Sequence, residues 1–156
     1  MVSQVVQLLR DLIALPSVNA AFLPPGDARA GEVKVADYLA KRAARARLDI
    51  ECQPVAPGRD NLIVRLQPLG QARHRILLAP HLDTVGGDDP KMYRPIKKGN
   101  KLHGRGACDT KGSVAAMFQA LENMASRKKR PSTTEIVFVG LMDEECNQTG
   151  SRAFAK

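Results

Sequence analysis

Between residues 3 and 15 the apolar positions Val5, Val6, Leu8, Leu9, Leu12 and Ile13 recur close to a 3.6-residue period. That spacing predicts an amphipathic helix, with Ser3 as a candidate cap and Pro16 as the stop. Residues 16–30 carry three prolines and a glycine and read as a loop. A second helix is predicted from Glu32 to Leu48, its stripe formed by Val33, Ala36, Leu39, Ala40 and Ala43. Strands follow at 49–55 and 61–67, separated by the turn Pro57–Gly58. Beyond them the pattern changes. Residues 75–79 (RILLA) and 135–141 (EIVFVGL) are short apolar runs without alternation, the pattern of strands covered on both faces. Lys98-Gly99-Asn100-Lys101 reads as a hairpin turn, and residues 112–127 as a helix with Val114, Met117, Phe118 and Leu121 on its apolar side. Strands separated by helices imply a layered αβα fold around a mixed, largely parallel sheet. No repeat or linker interrupts the chain, which reads as one piece over residues 1–156.

Composition sharpens this picture. With 156 residues the chain has room for one domain, and a hydrophobic fraction of 44% supplies its core. No apolar run approaches the ~18 residues a membrane helix needs. The N-terminal stretch lacks a basic leader and is broken by Arg10 and Asp11, so it makes a poor secretory signal. Three cysteines, Cys52, Cys108 and Cys146, form no C-x-x-C pair; this excludes a disulfide framework and points to a reducing cytoplasm. Lys plus Arg number 24 against 16 Asp plus Glu, so nucleic-acid binding has to be weighed. The basic clusters at Lys41–Arg47 and Arg127–Arg130 fit a solvated helix face and a helix C-terminus. Only 4% of residues are aromatic, which leaves few stacking platforms for single strands. A basic, non-catalytic nucleic-acid-binding protein is therefore the alternative, not the leading reading.

Five of the sixteen acids fall in three short motifs. The first, PHLDTV, puts His81 and Asp83 just past an apolar strand, two residues apart and on one side of an extended chain. Alone, His81 reads as an ordinary satisfied histidine; beside Asp83 it can have its tautomer fixed for metal ligation. The second, HGRGACDTKG, places Asp109 behind two glycines and ahead of a helix, where an N-cap would equally suit it. His103, in the strand upstream, is given no ligand role. The third, Asp143-Glu144-Glu145, follows the other core strand. Three adjacent carboxylates repel one another unless solvent or a cation compensates. One imidazole and several carboxylates from three separate segments suit a divalent ion in a hydrolytic site.

Together, His81-Leu82-Asp83-Thr84-Val85, the run Gly104 to Gly112 and Asp143-Glu144-Glu145 resemble the signature of a co-catalytic metallopeptidase family. Acetylornithine deacetylase, succinyl-diaminopimelate desuccinylase, aminoacylase and carboxypeptidase G belong to it. The Cys-Asp-Thr-Lys-Gly form looks most like the deacetylase and desuccinylase branch. The resemblance implies that His81 and Glu145 each bind one of two divalent ions, zinc first and cobalt or manganese as alternatives, with Asp109 bridging them. It further implies that Asp83 holds the His81 imidazole, that Glu144 is the general base, and that the Asp109–Thr110 peptide is cis. Neighbouring Glu144 and Glu145 can share one site only if the chain leaves extended geometry there. No thiolate ligand is expected, and Cys108 and Cys146 are expected to be small, partly buried side chains.

The implied activity is hydrolysis of an amide bond in an N-acylated amino acid or small peptide. Family members carry a further carboxylate ligand, a late histidine ligand and a dimerisation domain beyond the motif at Glu145, which here lies 11 residues from the last residue. The expectation is thus an N-terminal part of a catalytic domain, inactive alone and short of ligands for two ions, with homodimerisation reserved for the full-length form.

Overall fold

The computed structural model describes residues 3–87, 89–126 and 130–156. Arg127, Lys128 and Lys129, most of the second basic cluster and the end of the predicted third helix, lie outside the described residues. Two helices open the chain, α1 (Gln4–Ile13) and α2 (Val33–Arg45). Ser3 holds the N-cap position of α1 but makes no side-chain capping bond; Gln7 N donates to its backbone carbonyl instead, at 3.0 Å. Two strands follow, β1 (Asp49–Ala56) and β2 (Arg59–Leu66), turning through Gly58 at φ 68°, which a residue with a side chain would adopt only under strain. Next come β3 (His74–Leu78), the hairpin β4 (Ile96–Lys98) and β5 (Lys101–His103), α3 (Lys111–Ser126), β6 (Thr134–Gly140) and α4 (Thr149–Phe154). The short α4 was not expected from the pattern.

The main sheet has the order β1-β2-β6-β3. Its class is α/β with a mixed sheet, as expected, yet two of the three pairings are antiparallel, β1 with β2 and β2 with β6. Only β3 runs parallel to β6, with Leu78 beside Phe138. The helix between them, α3, makes the crossover such a pair requires. An isolated parallel bridge from His81 to Leu141 carries the pairing three residues past the last strand pair, Leu78 with Phe138. That bridge is what brings the first and third acidic motifs side by side.

On one face of the sheet, α1, α2 and α3 bury Leu8, Leu12, Leu39, Val114 and Phe118 against Leu62, Val64, Leu66 and Phe138. The alternate side chains Ile63, Val137 and Val139 turn to the other face, where Phe154 of α4 packs on them. Helices thus lie on both faces, the thinner layer being α4. The apolar run at residues 75–79 departs from expectation. β3 is an edge strand, and Ile76 and Leu77 are 49% and 48% exposed, whereas β6 is buried as predicted. Its composition suits a covered strand, but among the described residues it pairs on one side alone.

The core is held most visibly by Phe118 and Phe138, whose rings meet edge to face with centroids 5.2 Å apart. Both are fully buried. Phe118→Ala is expected to lower the unfolding free energy by about 3–5 kcal/mol, measured by urea titration at an unchanged m value.

Candidate metal centre

The carboxyl ends of β3 and β6 carry the chemistry, as they do in open α/β sheets generally. Beyond β3 the chain continues extended through His81 and Asp83. It is braced there by residues 17–19: Thr84 N donates to Ser17 O, Asn19 N to Thr84 O, and Ser17 Oγ to Leu82 O. Beyond β6, Asp143 adopts a left-handed φ of 62°, and residues 144–147 form a turn. This break in extended geometry is what lets Glu144 and Glu145 serve one site. Asp109 arrives from the loop before α3, where its peptide bond to Thr110 is cis, as the resemblance implied. Lys111 N closes that loop by donating to Gly106 O at 2.8 Å.

His81, Asp109 and Glu145 place one ligand atom each within 4.8 Å of one another. His81 Nε2 stands 3.1 Å from Asp109 Oδ1 and 3.6 Å from Glu144 Oε2. The other ring nitrogen, Nδ1, lies 3.1 Å from the Asp83 backbone carbonyl and 3.3 Å from its carboxylate. Both of those are acceptors, so Nδ1 carries a proton, and whenever the ring is neutral its Nε2 lone pair faces two more carboxylates. A proton or a cation must mediate that arrangement. Burial alone would lower the imidazole pKa, but the hydrogen bonds to Asp83 and Asp109 outweigh it and raise it to about 9. For Asp83, the opposing penalty of burial is overcome by bonds from His81, Asn19 and two backbone amides, and its pKa falls. Glu145 moves the other way, raised by burial and, through charge, by Asp109 and Asp83. One imidazole and two carboxylates without a thiolate are a fitting set for a divalent ion such as zinc.

All five predicted site residues therefore meet. Asp109, with 76% of its side chain exposed, and Glu144, at 44%, form the open side beside Thr110, Ser113 and Leu141. Cys108 and Cys146 adjoin the motifs but are exposed rather than partly buried, and neither enters the cluster. Asp143 turns away from it. Its carboxylate accepts from Asn19 Nδ2 at 2.9 Å and from Thr149 Oγ1 at 2.7 Å, with Arg59 at 3.6 Å. Arg59 in turn forms a forked pair with Glu32 at 2.6 and 3.0 Å, and Glu32 Oε1 accepts from Asp143 N.

Sequence reasoning passed over Asn19, Glu32, Arg59 and Lys111. Lys111 is fully buried, and its Nζ donates to Leu12 O and Leu15 O at 2.9 and 2.6 Å, tying the end of α1 to the Asp109 loop. Its burial lowers the pKa to about 7. Lys111 lies inside the Cys-Asp-Thr-Lys-Gly motif and Arg59 beside the turn at Gly58, and neither position distinguishes a buried side chain from an ordinary loop residue.

His103 lies at the end of β5 and is not among the three clustered donors. Of the basic residues in the Lys41–Arg47 run, Arg42 is paired to Glu122 at 2.7 Å. No feature of the described residues favours a nucleic-acid interface.

A family model described as peptidase family M20/M25/M40 matches residues 77–156. Among solved structures, an M20 family metallo-carboxypeptidase from Sulfolobus solfataricus superimposes with a TM-score of 0.72 at 15% identity, over 92% of this chain and 31% of that one. Aminopeptidase PepT from Bacillus cereus gives 0.74 at 20% identity, over 96% and 39%. Human carnosine dipeptidase 1 gives 0.67 at 21% identity, over 87% and 31%. The chain thus spans between three and four tenths of the length of these structures.

The Glu32–Arg59 pair generates a test. Glu32 is nearly fully buried. Glu32→Gln should leave Arg59 with only the longer 3.6 Å contact to Asp143 as counter-charge and cost about 3 kcal/mol in urea unfolding, with part of the loss recovered in the double variant Glu32→Gln/Arg59→Gln.

Proposed function

The chain belongs to peptidase family M20/M25/M40, and from that premise we propose that it supplies the metal-binding strand ends of a hydrolase cleaving the amide bond of N-acylated amino acids or small peptides. The observation carrying this reading is the convergence of donors from His81, Asp109 and Glu145 within 4.8 Å, with Glu144 beside them. His81 would ligate through Nε2, held by Asp83 on Nδ1; Asp109 and Glu145 would each give a carboxylate oxygen. A divalent ion held there supplies Lewis-acid polarisation of the scissile carbonyl and acidifies an attacking water. Glu144, on the exposed side, takes the proton from that water as its oxygen bonds to the carbonyl carbon. It returns the proton to the departing nitrogen as the carbon–nitrogen bond breaks, leaving a carboxylate and an amine.

Catalytic zinc ordinarily takes about three protein ligands plus water, so these three donors suffice for one ion and leave a pair short. In this reading residues 1–156 form the N-terminal part of the catalytic domain. The remaining ligands of a two-ion centre, substrate selection between acetylated, succinylated and peptide substrates, and dimerisation belong to other parts of the full-length protein. No helix among the described residues is long and apolar enough to cross a membrane. The unpaired cysteines support a reducing, cytoplasmic setting in this reading.

Calorimetric titration of the 156-residue chain with Zn²⁺ should show weak uptake that His81→Ala and Asp109→Ala abolish. Equal heats in all three proteins would remove the metal centre from these residues. Tight uptake of two ions, with turnover of N-acetylornithine or N-succinyl-diaminopimelate by this chain, would show that no further ligands are needed. In a form carrying the full ligand set, Glu144→Ala should cut kcat by about 10²–10⁴ with metal content unchanged, the range expected for a lost general base.

A further inference from the structure

Two buried carboxylates, Asp83 and Asp143, come from the two different acidic motifs and face the same side chain. Asn19 is fully buried, and its Nδ2 donates to Asp83 Oδ2 at 2.7 Å and to Asp143 Oδ1 at 2.9 Å. The orientation of the amide is fixed from its other end, where Oδ1 accepts from Ala21 N at 3.0 Å. Both donors and the acceptor are thus engaged, and no residue with a single hydroxyl could reproduce the set. Asp83 in turn accepts from the backbone amides of Glu144 and Glu145, both at 3.1 Å, and faces His81 Nδ1. Along the line His81, Asp83, Asn19, Asp143 and Arg59, a basic group closes each end and the uncharged amide separates the two carboxylates. An amide between two carboxylates satisfies both without adding a charge of its own.

We propose that Asn19 is the positioning residue of the centre: it fixes the Asp83 carboxylate, and through it the His81 ring and the backbone that presents Glu144 and Glu145. Asn19 bonds to Asp83, Asp143 and Ala21 N and does not line the cleft beside His81, Asp109 and Glu144. Its effect on metal uptake rests on the function proposed above; its effect on the Glu144–Glu145 backbone does not.

The test uses amide hydrogen exchange on the metal-free 156-residue chain, comparing the wild type with Asn19→Ala and with the isosteric Asn19→Asp. Ser17→Ala serves as a control, since Ser17 is equally buried in the same segment and bonds to Leu82 O rather than to a carboxylate. Both Asn19 variants should speed exchange at the Glu144 and Glu145 amides by about tenfold or more, the scale of one lost hydrogen bond to a charged group. Exchange at Val137 and Val139 in β6 should stay as in the wild type, and Ser17→Ala should leave Glu144 and Glu145 unmoved. Unchanged exchange at those two amides would overturn the assignment. So would a uniform rise through β6, or failure of both Asn19 variants to fold while Ser17→Ala folds, because each would mark Asn19 as a general stability determinant. In a second arm, chelator competition with Zn²⁺ should show affinity about 10–100-fold weaker in Asn19→Ala than in wild type, the usual cost of losing an outer partner. Equal Zn²⁺ affinity in the two proteins would overturn the proposal for the metal. Absence of uptake by the wild type would instead sink the metal reading, and the exchange arm alone would then decide the role of Asn19.

Discussion

Mutual repulsion among acids is the constraint around which this molecule is built. Asp83, Asp143, Glu144 and Glu145 follow the ends of two neighbouring strands, Asp109 joins them from the loop before α3, and each ionised carboxylate makes the next harder to ionise. The structure meets that cost in two ways. Asp83 and Asp143 are buried, and their pKa values are nonetheless held down by amide, hydroxyl and guanidinium partners. Asp109 and Glu144 are left in solvent, where water screens them. Glu145 lies between these regimes and is the acid whose pKa rises. The His81 imidazole stands at the boundary, with acceptors on both nitrogens, which is why it favours a proton there and why the same geometry suits a metal cation.

That arrangement depends on the sheet. β3 and β6 are the parallel pair, so their carboxyl ends lie at the same edge, and the His81–Leu141 bridge locks them in register. An antiparallel pairing would have put the first and third motifs at opposite ends. The crossover between the strands contains the Asp109 loop and α3, and so delivers the second motif to the same end. Lys111 then ties that loop to α1 through buried hydrogen bonds, and residues 17–19 brace the His81 segment from the other side. The cluster is therefore supported from three directions by segments distant in sequence.

This explains how much could be read in advance. The helices α1, α2 and α3 follow from apolar periodicity, the turns at Gly58 and Gly99 from composition, and β6 from its unbroken apolar run. The three acidic motifs were legible because their chemistry is concentrated locally. Burial of β3 was not, since an apolar run records what a strand would tolerate and not how many neighbours it has. The supporting polar residues left even less trace. Asn19 meets Asp143 across 124 positions, Lys111 meets Leu12 across 99 and Arg59 meets Glu32 across 27. Such pairs have no period, and each member alone resembles an ordinary loop or surface residue.

The support is also uneven, and the unevenness has a functional sense. His81, Asp83 and the Glu144–Glu145 backbone are tied into the buried network, whereas the exposed Asp109 carboxylate is met by the His81 ring at 3.1 Å and has Glu145 within 4.8 Å. The Glu144 carboxylate is likewise held by its 3.6 Å approach to the same ring. Backbone positions are thus fixed for every group, while the two exposed carboxylates keep rotamer freedom that costs about 1 kcal/mol or more each to remove. The free energy of ligand binding is then spent on ordering Asp109 and Glu144 rather than on assembling strands or loops. In the proposed function Glu144 would take a proton from water and deliver it to a leaving nitrogen, a role that such freedom suits. The cluster is therefore held from behind at His81 and at the backbone of Glu144 and Glu145, while the exposed side chains of Asp109, the proposed ligand, and Glu144, the proposed base, would be ordered only when an ion or substrate binds.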